Sequence, residues 1–179
     1  WKPFFETGAR LGASQVLVAG NDPDYNRFCD NFAELCEIAH PYGLTLNVEP
    51  MPWCDIATVK ATGDAMKRVN RPNAGVLVDP IHFFRADNRY EDIDALPPGS
   101  LHYCQMCDIT AERPKDMDGI LYQARNFRLS PGTGAADLKT LLKHLPGLPI
   151  SIEACNAELA LTLSPLDRAR MYLEDMVAV

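Results

Sequence analysis

The sequence predicts an α/β fold in which parallel strands close into a (β/α)8 TIM barrel, with this chain supplying the last five strand-helix units. Three observations carry that expectation. Short apolar runs of strand length alternate with amphipathic runs of helix length. Within each strand one parity is aliphatic, while the other is small, mixed or polar. Four strands also finish on or near an oxygen-bearing side chain, in "TLNVEP", "GVLVDP", "HYCQMCD" and "ISIEAC".

Taken in order, "KPFFETGARLG" reads as a helix stopped by Gly12, since glycine suits the left-handed turn that ends a helix. "SQVLVAG" is a short apolar strand. Asp24 is placed to cap a long helix in "YNRFCDNFAELCEIAHPYG", where Phe28, Phe32, Leu35, Cys36 and Ala39 recur at three and four. Pro41 and Gly43 end it. Strand "LTLNVEP", a helix near 58–70 and strand "AGVLVDP" follow. A short helix near 90–96 leads to strand "LHYCQMCD". The polar stretch 109–134 is too long for a simple connection and is expected to be functional or mobile. Helix "AADLKTLLKHL" and strand "LPISIEAC" come next. Ser164 caps a last helix, with Pro165 in its first turn. No repeat, low-complexity tract or linker divides residues 1–179, so a single domain is expected.

The strand faces favour a barrel over an open sheet. Leu44, Leu46 and Val48 share one face, as do Val76 and Val78, and Ile150 and Ile152. These suit contact with covering helices. The alternate parity holds Thr45, Asn47 and Glu49; Gly75, Leu77 and Asp79; Tyr103, Gln105 and Cys107; and Ser151 and Glu153. His102, on the other parity, is expected to face the helices. A small, polar inner face fits a barrel interior, and barrel chemistry sits at the C-terminal strand ends. A whole barrel takes about 250 residues. The first three units are therefore expected to be missing from the front, and the start at Trp1 rather than Met fits that expectation.

Composition narrows the function. A formal net charge of -7 and a pI near 5.0 argue against a nucleic-acid partner, which needs a basic face. No apolar run reaches the roughly 20 residues that span a bilayer, and no signal peptide is visible. Cys29, Cys36, Cys54, Cys104, Cys107 and Cys155 are too sparse for a disulfide-stapled fold. They are expected to be free, buried thiols of a reducing compartment, which places the protein in the cytoplasm. Cys104 and Cys107 have CxxC spacing, but on one strand they point to opposite faces. No phosphate-binding glycine loop or nucleophile elbow occurs, so nucleotide cofactors and Ser-His-Asp chemistry have no anchor.

Carboxylates meeting at one barrel mouth repel one another unless a cation joins them. Glu49, Asp79, Gln105 and Glu153 form an oxygen-rich set that suits one divalent ion, Mn²⁺ or Mg²⁺ first, with Co²⁺ or Zn²⁺ possible. His82 follows Asp79 by three and could bind a substrate hydroxyl, donate a proton or ligate a second metal. Trp53, close after Glu49, could wall the pocket. Arg128 opens "RLSPGTG", a tight turn, and could neutralise a carboxylate, a phosphate or a developing enolate oxygen. Asp108 could contact substrate or cap the following loop.

The set "LNVEPMPW", "NAGVLVDPIHFFR", "HYCQMCD", "RLSPGTGAADL" and "ISIEA" resembles the xylose isomerase-like TIM-barrel superfamily, and within it the sugar phosphate isomerase/epimerase group. The resemblance covers nearly the whole chain, matching the last five units of the family's barrel. It implies that Glu49, Asp79 and Glu153 are metal ligands and that His82 and Arg128 match substrate-binding positions. Gln105 falls where many members carry His; the similar metal-dependent 3-dehydroshikimate dehydratases carry Gln there. The Asp-x-His pair of the related apurinic endonucleases is absent after Gln105, which argues against DNA repair.

The resemblance implies a sugar or sugar phosphate isomerase or epimerase of carbohydrate metabolism, acting on a small polyol-like substrate. Glu49 or Glu153 would remove a proton beside a carbonyl, giving an enediolate. A dehydratase of the 3-dehydroshikimate or inosose type is the alternative, and a non-catalytic partial barrel the second. A homo-oligomer is compatible with either enzyme.

Overall fold

The computed structural model describes residues 1–179. Helix α1 (Lys2–Arg10) ends at Gly12, whose φ of 78° is left-handed as expected. Strand β1 (Gln15–Ala19) leads to α2 (Tyr25–Ala39), capped by the Asp24 carboxylate accepting from the Arg27 amide at 3.0 Å. A 3-10 turn (His40–Tyr42) and Gly43 at φ 70° finish it. Then come β2 (Thr45–Glu49), α3 (Val59–Val69) and β3 (Ala74–Val78). Short helices α4 (Pro80–Arg85) and α5 (Tyr90–Asp94) precede β4 (Leu101–Met106). Helices α6 (Met117–Asn126) and α7 (Leu138–Lys143), strand β5 (Ile150–Ile152), and helices α8 (Ala157–Thr162) and α9 (Pro165–Ala178) complete the chain.

The five strands form one sheet in the order β1-β2-β3-β4-β5, every pair parallel. This is a half-barrel with helices on its outer side. Leu46, Val48 and Val76 are fully buried there, against Phe28, Phe32 and Cys36 of α2 and Ala65, Met66 and Val69 of α3. Val78, Cys104 and Met106 pack likewise on Phe83, Leu138 and Leu141. Each such aliphatic side chain contributes about 1.5–3 kcal/mol. The two edge strands are more open: Leu17 and Ile150 are each 42% exposed. No helix is long and apolar enough to cross a membrane.

The structure adds three helices to the sequence reading and corrects two expectations. The stretch 109–134 contains a regular helix, α6, capped by Asp116. Helices α4 and α8, each six residues long, are too short to show a period. Cys155 is exposed, although all six cysteines are free. Finally, His102 points inward. β3 and β4 fall out of step between Val76↔Leu101 and Val78↔Cys104, so two residues oppose one and the alternation of faces is interrupted. His102 Nδ1 then lies 2.9 Å from Asn47 Oδ1 on the inner face. Gly75 makes room: a Cβ there would fall 2.3 Å from His102 Nδ1.

Replacing Leu46, which has no exposed surface, by Asp puts an unpaired charge against α2 and α3. Leu46→Asp is expected to destabilise the fold by more than ~3 kcal/mol, read as a fall in the urea unfolding midpoint.

Candidate metal and catalytic site

Parallel strands bring their C-terminal ends to one rim. Glu49 is the last residue of β2, and Asp79 follows the last residue of β3. The Asp79 carboxylate also caps α4: its Oδ1 accepts from the Ile81 amide at 2.9 Å, with Pro80 in the first turn. One turn on, the helix returns His82 to the same side. Ligand atoms of Glu49, Asp79 and His82 lie within 4.8 Å of one another, and all three residues are buried. His82 Nε2 is 3.5 Å from Glu49 Oε1. The Trp53 ring meets the His82 imidazole edge-on, with centroids 5.0 Å apart. Trp53 therefore packs on the site as a wall.

Arg128 enters from the segment after α6. Its Nη1 donates to Asp79 Oδ2 at 2.5 Å and to the Glu153 carbonyl at 3.1 Å, while its Nε donates to the Ala124 carbonyl at 2.6 Å. Glu153 Oε1 is 3.5 Å from Arg128 Nη2, and its side chain is 36% exposed. Glu153 thus stands at the rim beside the arginine, outside the Glu49–Asp79–His82 cluster. Gln105 is buried on β4. Of the expected ligand set, then, Glu49 and Asp79 come together. His82 joins them, Glu153 stands apart, and Gln105 is held on the neighbouring strand.

The electrostatics are those of a site short of positive charge. Burial, then the Asp79 and Glu153 charges, push the Glu49 carboxyl up to about 8. Burial lowers His82 to about 4. At neutral pH the close Glu49–His82 contact is therefore a carboxylic acid beside a neutral imidazole, despite its ion-pair distance. Burial also works against the Arg128 charge, but Asp79, Cys107 and Glu153 hold its pKa above the usual value. Burial raises Glu153 as well.

Glu49 Oε1, His82 Nδ1 and Gln105 Oε1 are buried with no hydrogen-bond partner. Buried polar atoms are ordinarily satisfied, so these three are free to meet a ligand. Carboxylate oxygens, an imidazole nitrogen and an amide oxygen are a donor set that fits a divalent cation. Sequence reasoning placed His82 among substrate contacts or on a second metal. The Asp-x-x-His spacing at a helix start was the signal for its place in the carboxylate cluster.

Two further features escaped the sequence. The Cys107 thiol lies 3.5 Å from Asp79 Oδ1. A polar chain also runs across the inner face below the rim. Asn47 Nδ2 donates to Gln15 Oε1 at 2.8 Å, which leaves Asn47 Oδ1 to accept from His102 Nδ1–H. The bond puts a proton on His102 Nδ1, and burial lowers the ring's pKa.

The xylose isomerase-like TIM barrel profile matches residues 1–176. The chain belongs to the xylose isomerase-like TIM-barrel family. Its similarity to a 3-dehydroshikimate dehydratase of Pseudomonas aeruginosa is 27% identity over 164 residues, 85% of this chain and 25% of that protein. An inosose isomerase of Bacillus licheniformis is 32% identical over 120 residues, 66% of this chain and 41% of that protein. The chain thus spans a quarter to two-fifths of the length of these curated relatives. A crystal structure of IolI with a bound zinc atom superposes with a TM-score of 0.83 at 24% identity, covering 99% of this chain and 66% of that one. Membership of the family accounts for the half-barrel.

The two shifted groups set the pH response of the metal-free protein. Glu49 stays protonated in the fold but ionises in the unfolded chain above 4.5, so its stabilisation is lost as pH rises toward about 8. His82 acts oppositely: it is neutral in the fold above about 4 but protonated in the unfolded chain below 6.5, so stability recovers over that window. The two offset each other below pH 6.5, and above it Glu49 acts alone. Metal-free protein is expected to lose about 1–2 kcal/mol between pH 6.5 and 8, measured by urea unfolding, with no such slope in Glu49→Gln.

Proposed function

We propose that the chain carries the metal-binding rim of an isomerase or epimerase that acts on a sugar or sugar-like polyol. The observation that carries this reading is the buried Glu49–Asp79–His82 cluster, in which Glu49 Oε1 and His82 Nδ1 have no hydrogen-bond partner. Similarity to inosose isomerases supports the reaction class. Glu49, Asp79 and His82 would hold one divalent cation, with Gln105 as a further oxygen donor. The imidazole nitrogen favours Mn²⁺, Co²⁺ or Zn²⁺ over Mg²⁺. Such a cation supplies Lewis-acid polarisation of the substrate carbonyl.

The chain's own groups divide the remaining work. Glu153, the most open carboxylate of the rim, takes the proton from the carbon next to the carbonyl. Its raised pKa brings it nearer the working pH of a general base. Arg128 sits 3.5 Å from that carboxylate and holds it in place. The C–H electron pair becomes the double bond of an enediol, with negative charge on the former carbonyl oxygen. Epimerisation follows when water protonates the opposite face of that carbon and Glu153 loses its proton to solvent, and ketose–aldose interconversion when Glu153 returns its proton to the neighbouring carbon. Trp53 closes the apolar side of the pocket, and His82 is neutral when it meets substrate.

A dehydratase is the second reading, favoured by the match over 85% of the chain and by Gln105. There the same proton loss is followed by departure of a β-hydroxyl as water. The test is solvent-deuterium incorporation by NMR, with Mn²⁺ present, using an inosose, a ketohexose and 3-dehydroshikimate. Deuterium at the carbon beside the carbonyl is expected from one of the first two. Appearance of an aromatic ultraviolet product from 3-dehydroshikimate selects the dehydratase instead. Absence of both signals with every one of these compounds would contradict both readings. Glu153→Gln is expected to cut turnover by about 100-fold or more while leaving the circular dichroism spectrum unchanged.

A further inference from the structure

Asp108 is 1% exposed, and its two carboxylate oxygens take four backbone N–H groups. Oδ1 accepts from Ile109 and Ala136 at 2.8 and 2.9 Å. Oδ2 accepts from Gly132 and Gly134 at 3.0 and 2.9 Å. One side chain just beyond β4 therefore gathers the whole turn that follows Arg128. The main chain of Asp108 adds a two-way bridge to Leu129, at 2.9 and 3.0 Å. The neighbouring backbone is held from the other side: the Arg128 amide donates to the Cys155 carbonyl at 2.9 Å, and Asn156 Nδ2 donates to the Arg128 carbonyl at 3.1 Å. Gly134 is required for this fit, because a Cβ there would fall 2.3 Å from the Ile109 carbonyl oxygen and 2.5 Å from Asp108 Oδ1.

We propose that Asp108 is a positioning residue that acts through Arg128. By drawing Leu129 to Ala136 onto the end of β4, it fixes the backbone from which the guanidinium reaches Asp79 and Glu153. Asp79 has both oxygens committed, Oδ2 to Arg128 and Oδ1 to the Ile81 amide, so its orientation depends on where the arginine stands. The orientation of the Asp79 carboxylate toward a cation is thus set partly by a carboxylate that does not belong to the cluster. This last step rests on the metal reading above; the control of Arg128 by Asp108 does not.

The experiment follows the Arg128 Nε–H cross-peak in ¹⁵N NMR spectra of the whole chain, together with Mn²⁺ affinity by titration calorimetry. In the parent protein the buried Nε–H should exchange slowly, as it donates to the Ala124 carbonyl. Asp108→Asn is expected to shift that peak and speed its exchange. Gly134→Ala, which keeps the charge but crowds the same cradle, should do likewise and decides the matter if Asp108→Asn does not fold. Mn²⁺ binding should weaken by about 10-fold or more in either variant, as for the loss of outer partners of metal ligands. Arg128→Lys should weaken it similarly, and Asp108→Asn combined with Arg128→Lys should be no worse than the weaker single variant. Asp137→Ala, which removes the cap of α7, should lower stability while leaving the Arg128 signal and the affinity in place. An unchanged Arg128 peak in Asp108→Asn, or in Gly134→Ala where the first does not fold, would overturn the proposal. So would multiplicative losses in the double variant. Failure of the parent to bind Mn²⁺ counts against the metal reading and leaves the NMR comparison to decide the role of Asp108.

Discussion

The rim depends on a buried ion pair. Asp79 and Arg128 meet at 2.5 Å with side chains 0% and 4% exposed. Removing either partner would leave the other charged and unpaired in the interior, a cost of about 3–5 kcal/mol. The pair also fixes what remains: Arg128 is shared between Asp79 and Glu153, so Glu49 is left without an ion-pair partner of its own. Burial first, and then the Asp79 and Glu153 charges, raise Glu49 to about 8.

From this pair the architecture reads outward. Asp79 belongs to β3 and α4, while Arg128 follows α6 and is tied to β4 and β5 through Asp108, Cys155 and Asn156. The interaction therefore draws together segments from three successive strand-helix units. His82 rides on the helix that Asp79 caps, and Trp53 packs on His82, so the apolar wall is placed by the same constraint. Below the rim, Gln15, Asn47 and His102 link β1, β2 and β4 across the gap left by Gly75. Polar groups set this geometry twice, in two layers, while the aliphatic contacts that stabilise the sheet lie on its other face.

Much of this was legible in the sequence. Alternation along "TLNVE" and "AGVLVD" assigned the faces of β2 and β3, because a strand buried on one side by helices must repeat every second residue. Glu49 and Asp79 could be placed at one rim because parallel strands end together. What failed had local causes. A bulge of one residue in β4 turned His102 inward, and nothing in "LHYCQM" announces it. Helix α6 carries Tyr122 and Met117 on exposed positions, so its apolar period is diluted. Asp108 could be read as a possible loop cap, but not as the residue that gathers 132–136, because its partners are backbone amides, which carry no sequence signal.

The most direct measurement is anomalous diffraction at the manganese edge from crystals soaked in MnCl₂. A single strong peak is expected about 2.0–2.3 Å from Glu49, Asp79 and His82 donor atoms. A map with no peak among those three residues, in crystals whose side chains there are well ordered, would contradict the account.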